Sequence, residues 1–187
     1  MRSLWPTALC VPVLVHRAGR ILHWNDAAQL AARRLGHDAT PNGLAQGIWT
    51  ALHPDEHDGV LQSYARITET GRPLQGVQRH LRDTEGRTYR VLASGWPTVW
   101  QGDDAVLTTF VFLDPLPGSP AAQQWHRMRE LTPAARDVAM LAAQGCTEDF
   151  IAEVVNLPMQ VVREHLGEAQ RQLGAGSSLE LMLLLAG

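Results

Sequence analysis

The order of hydrophobic patterns predicts two folded units of different class: an α+β unit first, then an all-α unit of four short helices. Three observations carry this. Strand-type runs come as two, then three, with helical stretches between; the span Pro115-Leu116-Pro117-Gly118-Ser119-Pro120 interrupts regular structure; the remainder has helical spacing. A chain of 187 residues has room for two small domains. With 45% hydrophobic and 19% charged residues, it is expected to bury real cores, not to remain disordered.

The first strand is expected at residues 11–17, a β-branched run closed by the turn Ala18-Gly19-Arg20, and Ile21-Leu22-His23-Trp24 pairs back as a hairpin. Asn25 or Asp26 then caps a helix over residues 27–35, which Gly36 stops. A loop through Thr40-Pro41-Asn42-Gly43 leads to short helical pieces ending at His53. Pro54 opens a longer helix reaching Thr70, with Gly71 as its C-terminal punctuation. Strands are expected at 76–81 and 87–94, flanking the turn Asp83-Thr84-Glu85-Gly86, and at 106–113 after a second turn at 101–104.

These patterns give an α+β domain at 9–114, a linker at 115–125 and a helical domain at 126–187. In the last, Thr132-Pro133 is an N-cap with proline at the first helical position, and Gly145 closes the helix. Thr147 caps a second helix whose Ile151, Val154 and Val155 share a face. The third starts near Pro158 and aligns Val162, Leu166, Ala169 and Leu173 in one core-facing stripe. The fourth, residues 178–186, is apolar almost all round. Its surplus, assigned to Leu179, Met182, Leu183 and Leu185, implies a partner surface, most simply a second copy of the chain.

Cys10 and Cys146 are too few for a disulfide framework, which suits a reducing compartment. No apolar run approaches the length of a membrane span, and Trp5-Pro6 falls where a leader would be apolar, so a soluble cytoplasmic protein is expected. All 16 basic residues are arginine. Residues 1–125 balance 11 Arg with 11 Asp and Glu, whereas residues 126–187 set 5 Arg against 8 acids, placing the whole net charge of −3 in the helical domain. No nucleophile motif is present, and a phosphate-binding loop of the G-x-x-x-x-G-K type cannot exist without lysine; no enzyme is expected.

The helical domain resembles a known family. Leu131-Thr132-Pro133, Arg136-Asp137-Val138, Ala143-Gln144-Gly145-Cys146-Thr147, Ile151-Ala152-Glu153, Val162-Arg163-Glu164-His165-Leu166 and Leu173-Gly174 are similar, in collinear order, to the LuxR/FixJ-type helix-turn-helix of bacterial transcription regulators. The resemblance implies a second helix crossing the DNA backbone, a third reading the major groove and a fourth that dimerises. Arg163 and His165 are then the main candidates for DNA contact, with Gln160 and Arg171 secondary. The sequence departs from the family at Val161, usually threonine, at Gln172, usually lysine, at Asp149, where lysine is common, at Ala135 and Phe150, usually glutamates, and at Pro158, which replaces the capping serine. Glu164 and Glu168 add carboxylates to the reading helix, and each lost cation or added acid opposes phosphate binding.

The first domain resembles a PAS domain through Gly19-Arg20-Ile21, Trp24-Asn25-Asp26-Ala27-Ala28, His53-Pro54-Asp55-Glu56, Arg79-His80-Leu81-Arg82-Asp83 and Glu85-Gly86-Arg87. That resemblance implies a five-stranded antiparallel sheet with helices on one face and a small interior able to hold a ligand. Trp24, Trp49, Trp96 and Trp100 are candidates to line such a pocket, with core filling as the competing explanation. The cofactor stays open: the Asn-Cys-Arg motif of flavin light sensors is missing, and haem would need His53 or His57 as an axial ligand. His53, Asp55 and His57 are metal-compatible types, but a helix start with Pro54 and two acids explains them, so no metal is expected. The combination implies a one-component regulator with double-stranded DNA, a second copy and a small-molecule ligand as partners. The alternative is an interaction protein whose degenerate helix-turn-helix dimerises with or titrates another regulator.

Overall fold

The computed structural model describes residues 11–40 and 48–185. Residues 1–10 with Cys10, residues 41–47 with most of the expected loop, and Ala186 with Gly187 lie outside them. The chain divides into two compact units, Met1–Val111 and Phe112–Gly187.

The first unit is a five-stranded antiparallel sheet with helices, as the PAS resemblance implies. Strands β1 (Val13–Arg17) and β2 (Arg20–Trp24) form the first hairpin; β3 (Leu74–Arg82), β4 (Thr88–Trp100) and β5 (Asp103–Phe112) follow helices α1 (Asp26–Arg34) and α2 (His57–Thr70). The spatial order is β2-β1-β5-β4-β3, so β5 returns to pair with β1. Short 3-10 turns cover Ile48–Thr50 and Pro54–Glu56, the latter standing where the proline-initiated helix is expected, with the α-helix itself starting at His57.

At the first turn, Gly19 has φ +85° and a Cβ there would come within 2.0 Å of the Trp49 ring, so the turn and the indole fit together only because the side chain is absent. Asn25 holds the strand and helix in one clamp. Its Oδ1 accepts from the backbone N–H of Val13 and of Ala28, both at 2.9 Å, and its Nδ2 donates to the Val11 carbonyl at 2.9 Å. It is both the N-cap of α1 and an extension of the β1 ladder. Asn25→Ala is expected to destabilise the first unit by about 2 kcal/mol, since it removes the cap and strands two buried amides. Urea denaturation of the full chain measures it; a loss below a few tenths of a kcal/mol would show the clamp to be dispensable.

The strands run further than local pattern suggests. β4 continues through Trp96-Pro97 to Trp100, a stretch the sequence leaves unassigned. The pairing explains the tolerance for proline: β3 is last in register with β4 at Leu74↔Gly95, so beyond Gly95 that edge of β4 has no ladder needing the missing N–H. At the β3–β4 turn, burial pushes the Asp83 carboxyl up, but hydrogen bonds from Arg87 and Tyr89 outweigh it and hold the group at about 2.

The second unit contains α3 (Pro120–Gln123), α4 (Trp125–Met128), α5 (Pro133–Ala143), α6 (Glu148–Val155), α7 (Met159–Leu173) and α8 (Ser178–Leu185). Part of the expected linker, 115–125, is helical. Ser119 caps α3 with Pro120 at the first helical position, and Leu116 and Ala121 are buried. Proline forbids a helix interior but is favoured at a helix start. The core is built from Met128, Val138, Leu141, Ile151, Val162, Leu173 and Leu181, all essentially inaccessible.

Candidate nucleic-acid interface and the interior of the first unit

Helices α6 and α7 are joined by Asn156-Leu157-Pro158. Thr147 caps α6 through a bond to the Phe150 amide, and Asn156 ends it in the left-handed conformation, φ +53°, with its N–H on the last turn of the helix. Asparagine accepts that conformation more readily than other residues with a Cβ. Pro158 starts α7 without a side-chain cap. The result is two short helices linked by a three-residue turn, the arrangement of a helix-turn-helix.

The α7 stripe Val162, Leu166, Ala169 and Leu173 is buried, as its spacing requires. The opposite face carries exposed Gln160, Arg163, Glu164 and Arg171. Three of the four candidate contact residues therefore share one surface. The fourth, His165, is turned aside: its side chain is 20% exposed and its Nδ1 lies 3.4 Å from Glu168. Gln160 donates to Glu164 at 3.2 Å. Arg163 is engaged by Glu148, the first residue of α6, with Nε 2.8 Å from the carboxylate. A separation of 15 residues carries no periodic signal, so sequence reading had no means of finding this pair.

The surface candidates on α8 divide by helix phase. Leu179 and Leu183, four residues apart, are 64% and 65% exposed, and Met182 is half-buried. Leu185 is corrected: at 3% exposure it lies with Leu181 on the inward side of the helix, and the outer surface does not include it. Arg127, which the sequence did not single out, donates to the Gln172 carbonyl at 2.7 Å and ties α4 to the end of α7.

In the first unit the four tryptophans are not brought together. Trp24 stands opposite Leu14, which is opposite Thr108, and that row faces α2, because a Cβ on Gly95 would touch Ile67 of α2, Val106 and Thr108. Trp96 and Trp100 follow Gly95 by odd steps and so lie on the other face, where Trp100 stacks on His23. Trp49 packs edge-on against His57. Strand alternation therefore places Trp24 on one face of the sheet and Trp96 and Trp100 on the other, while Trp49 sits in the 3-10 turn Ile48–Thr50, so the four candidate indoles do not line one pocket.

What α2 covers instead is polar in places. His16 is buried, its Nε2 3.0 Å from Thr108 Oγ1, its Nδ1 accepting the Gly19 N–H, and its ring beside Tyr64. Burial lowers its pKa to about 4. The buried Nε2 of His57 has no hydrogen-bond partner among the described residues. His53 lies beside Asp55 and accepts its N–H, and among the described residues no group of three or more His, Cys, Asp or Glu is placed to hold a metal. Among them, too, no helix is long and apolar enough to cross a membrane. Burial pushes the Cys146 thiol up to about 11, so it stays protonated.

No family model matches the chain, and no curated protein does. Among solved structures it is similar to VqmA bound to DPO, with 15% identity and a TM-score of 0.45 over 93% of this chain and 80% of that one. A VqmA–ligand–DNA complex from Vibrio cholerae gives 14% identity and the same score over 93% and 81%. The PAS domain of a Desulfitobacterium hafniense protein is 18% identical with a TM-score of 0.45, over 57% of this chain and 95% of that one.

Proposed function

We propose that the chain is a cytoplasmic one-component transcription regulator in which the PAS-like unit senses a small molecule and the helical unit binds double-stranded DNA as a dimer. The observation that carries this reading is the exposed face of α7, where Gln160, Arg163 and Arg171 project from a helix backed by its helix-turn-helix partner. Leu179, Met182 and Leu183 supply the apolar surface for the second copy, and two such units read half-sites about one helical turn apart. The His57 Nε2, without a partner among the described residues, favours a sensing role for the first unit, since a bound molecule would satisfy it. Ligand binding then shifts the population between arrangements of the dimer. No catalytic role is proposed.

A second reading has its own observation. Arg163 is paired with Glu148, and the same two helices carry Asp149 and Glu164, so the surface suits an interaction protein that titrates another regulator without touching DNA. Selection of bound fragments from sheared genomic DNA at low salt separates the two. The full chain is expected to recover a shared palindromic sequence, with affinity falling steeply as salt rises, and Arg163→Gln is expected to lose it. Failure of a folded dimer to enrich any fragment would decide for the interaction protein.

A further inference from the structure

The outer helix pair, α6 and α7, carries Glu148, Asp149, Glu153, Glu164 and Glu168 against two arginines, Arg163 and Arg171. These charges are not equivalent. Among the described residues Glu148 is the acid paired with Arg163, and it accepts a single hydrogen bond, from Nε. The pair is open to water, with the arginine side chain 60% and the glutamate 43% exposed. Exposed pairs of this kind add little to stability, because screening and side-chain entropy consume most of the attraction. The pairing is therefore cheap to break, and its main consequence is electrostatic. A phosphate that approaches Arg163 either displaces the carboxylate from Nε or binds the remaining guanidinium N–H groups with that negative charge beside it.

We infer that Glu148 is an intramolecular competitor for DNA: its carboxylate occupies Arg163 where a phosphate would sit, and so sets how weakly the chain holds DNA of arbitrary sequence. The inference rests on the DNA-binding reading above. It assigns to the first residue of α6 a role in discrimination, because only a site whose other contacts compensate for displacing Glu148 retains the protein.

The test uses the full chain and a random-sequence 40-base-pair duplex, with fluorescence anisotropy across a series of salt concentrations. Glu148→Gln should bind about fivefold more tightly at low salt, the scale of one exposed ion pair. It should also steepen the plot of log affinity against log salt by about one, as for one more neutralised phosphate. Glu153→Gln removes the same charge from the same helix without touching Arg163 and should change affinity by less than about twofold. In the background of Arg163→Gln, the gain from Glu148→Gln should vanish. Equal gains from the two glutamate variants, or a gain that survives loss of Arg163, would show a net-charge effect and overturn the inference. A wild-type chain that binds while Glu148→Gln binds no better would overturn it and leave the DNA-binding reading standing. No binding by any variant would remove both.

Discussion

Leu181→Ala is expected to destabilise the second unit by roughly 3–5 kcal/mol. Leu181 is wholly inaccessible on a helix that packs against α3, α5 and α7, so truncation loses its transfer free energy and leaves a cavity. The chemically identical change two positions on, Leu183→Ala, removes a side chain that is 65% exposed and should alter monomer stability by no more than about 0.5 kcal/mol. Urea denaturation of dilute protein, followed by tryptophan fluorescence and circular dichroism, measures both. Two units can unfold in two steps, and the loss should appear only in the step belonging to the helical unit. Similar losses for the two variants would mean that α8 does not sit in the phase described.

Stability should fall by roughly 3 kcal/mol between pH 7 and pH 4 through His16 alone. Its folded pKa, about 4, is below the ordinary 6.5. Above 6.5 the ring is neutral in both states and its native contacts are fully available. As pH falls from 6.5 toward 4, the unfolded chain takes up a proton that the folded chain cannot, and stability drains into that difference; below 4 the loss levels off. The tautomer matters as well: with Nδ1 accepting from Gly19, the single proton resides on Nε2, toward Thr108. His16→Gln should be less stable at pH 7, yet lose far less on going to pH 4.5. Parallel decline of both proteins would show that His16 is not held neutral.

Much of this fold is written locally. Asn25, Ser119, Thr132 and Thr147 each bond an amide three residues on, and Gly71 ends α2 with φ +65°. Such devices depend on residues within a few positions, so a caps-and-turns reading places most helices to within one or two residues, Ser119 being obscured by the surrounding prolines. The buried stripe of α7 is equally legible, because 3.6-residue periodicity is intrinsic to the helix. Gln160, Arg163, His165 and Arg171 were named through the family resemblance, and the helix period leaves the first, second and fourth of these opposite the buried stripe, whereas the inward turn of His165 follows from packing.

The sequence by itself therefore determined the two units, the element order, the caps and the apolar stripe, since each rests on short-range sterics or hydrogen bonds. Only the tertiary structure decided which side of the sheet each strand tryptophan occupies, that His16 is sealed beneath α2, that Leu185 points inward while Leu183 does not, and that Arg163 is held by Glu148. Those outcomes depend on pairing register and on contacts between residues far apart in the chain. The energy of such a contact is set by the geometry the rest of the core imposes, and spacing along the sequence does not encode it.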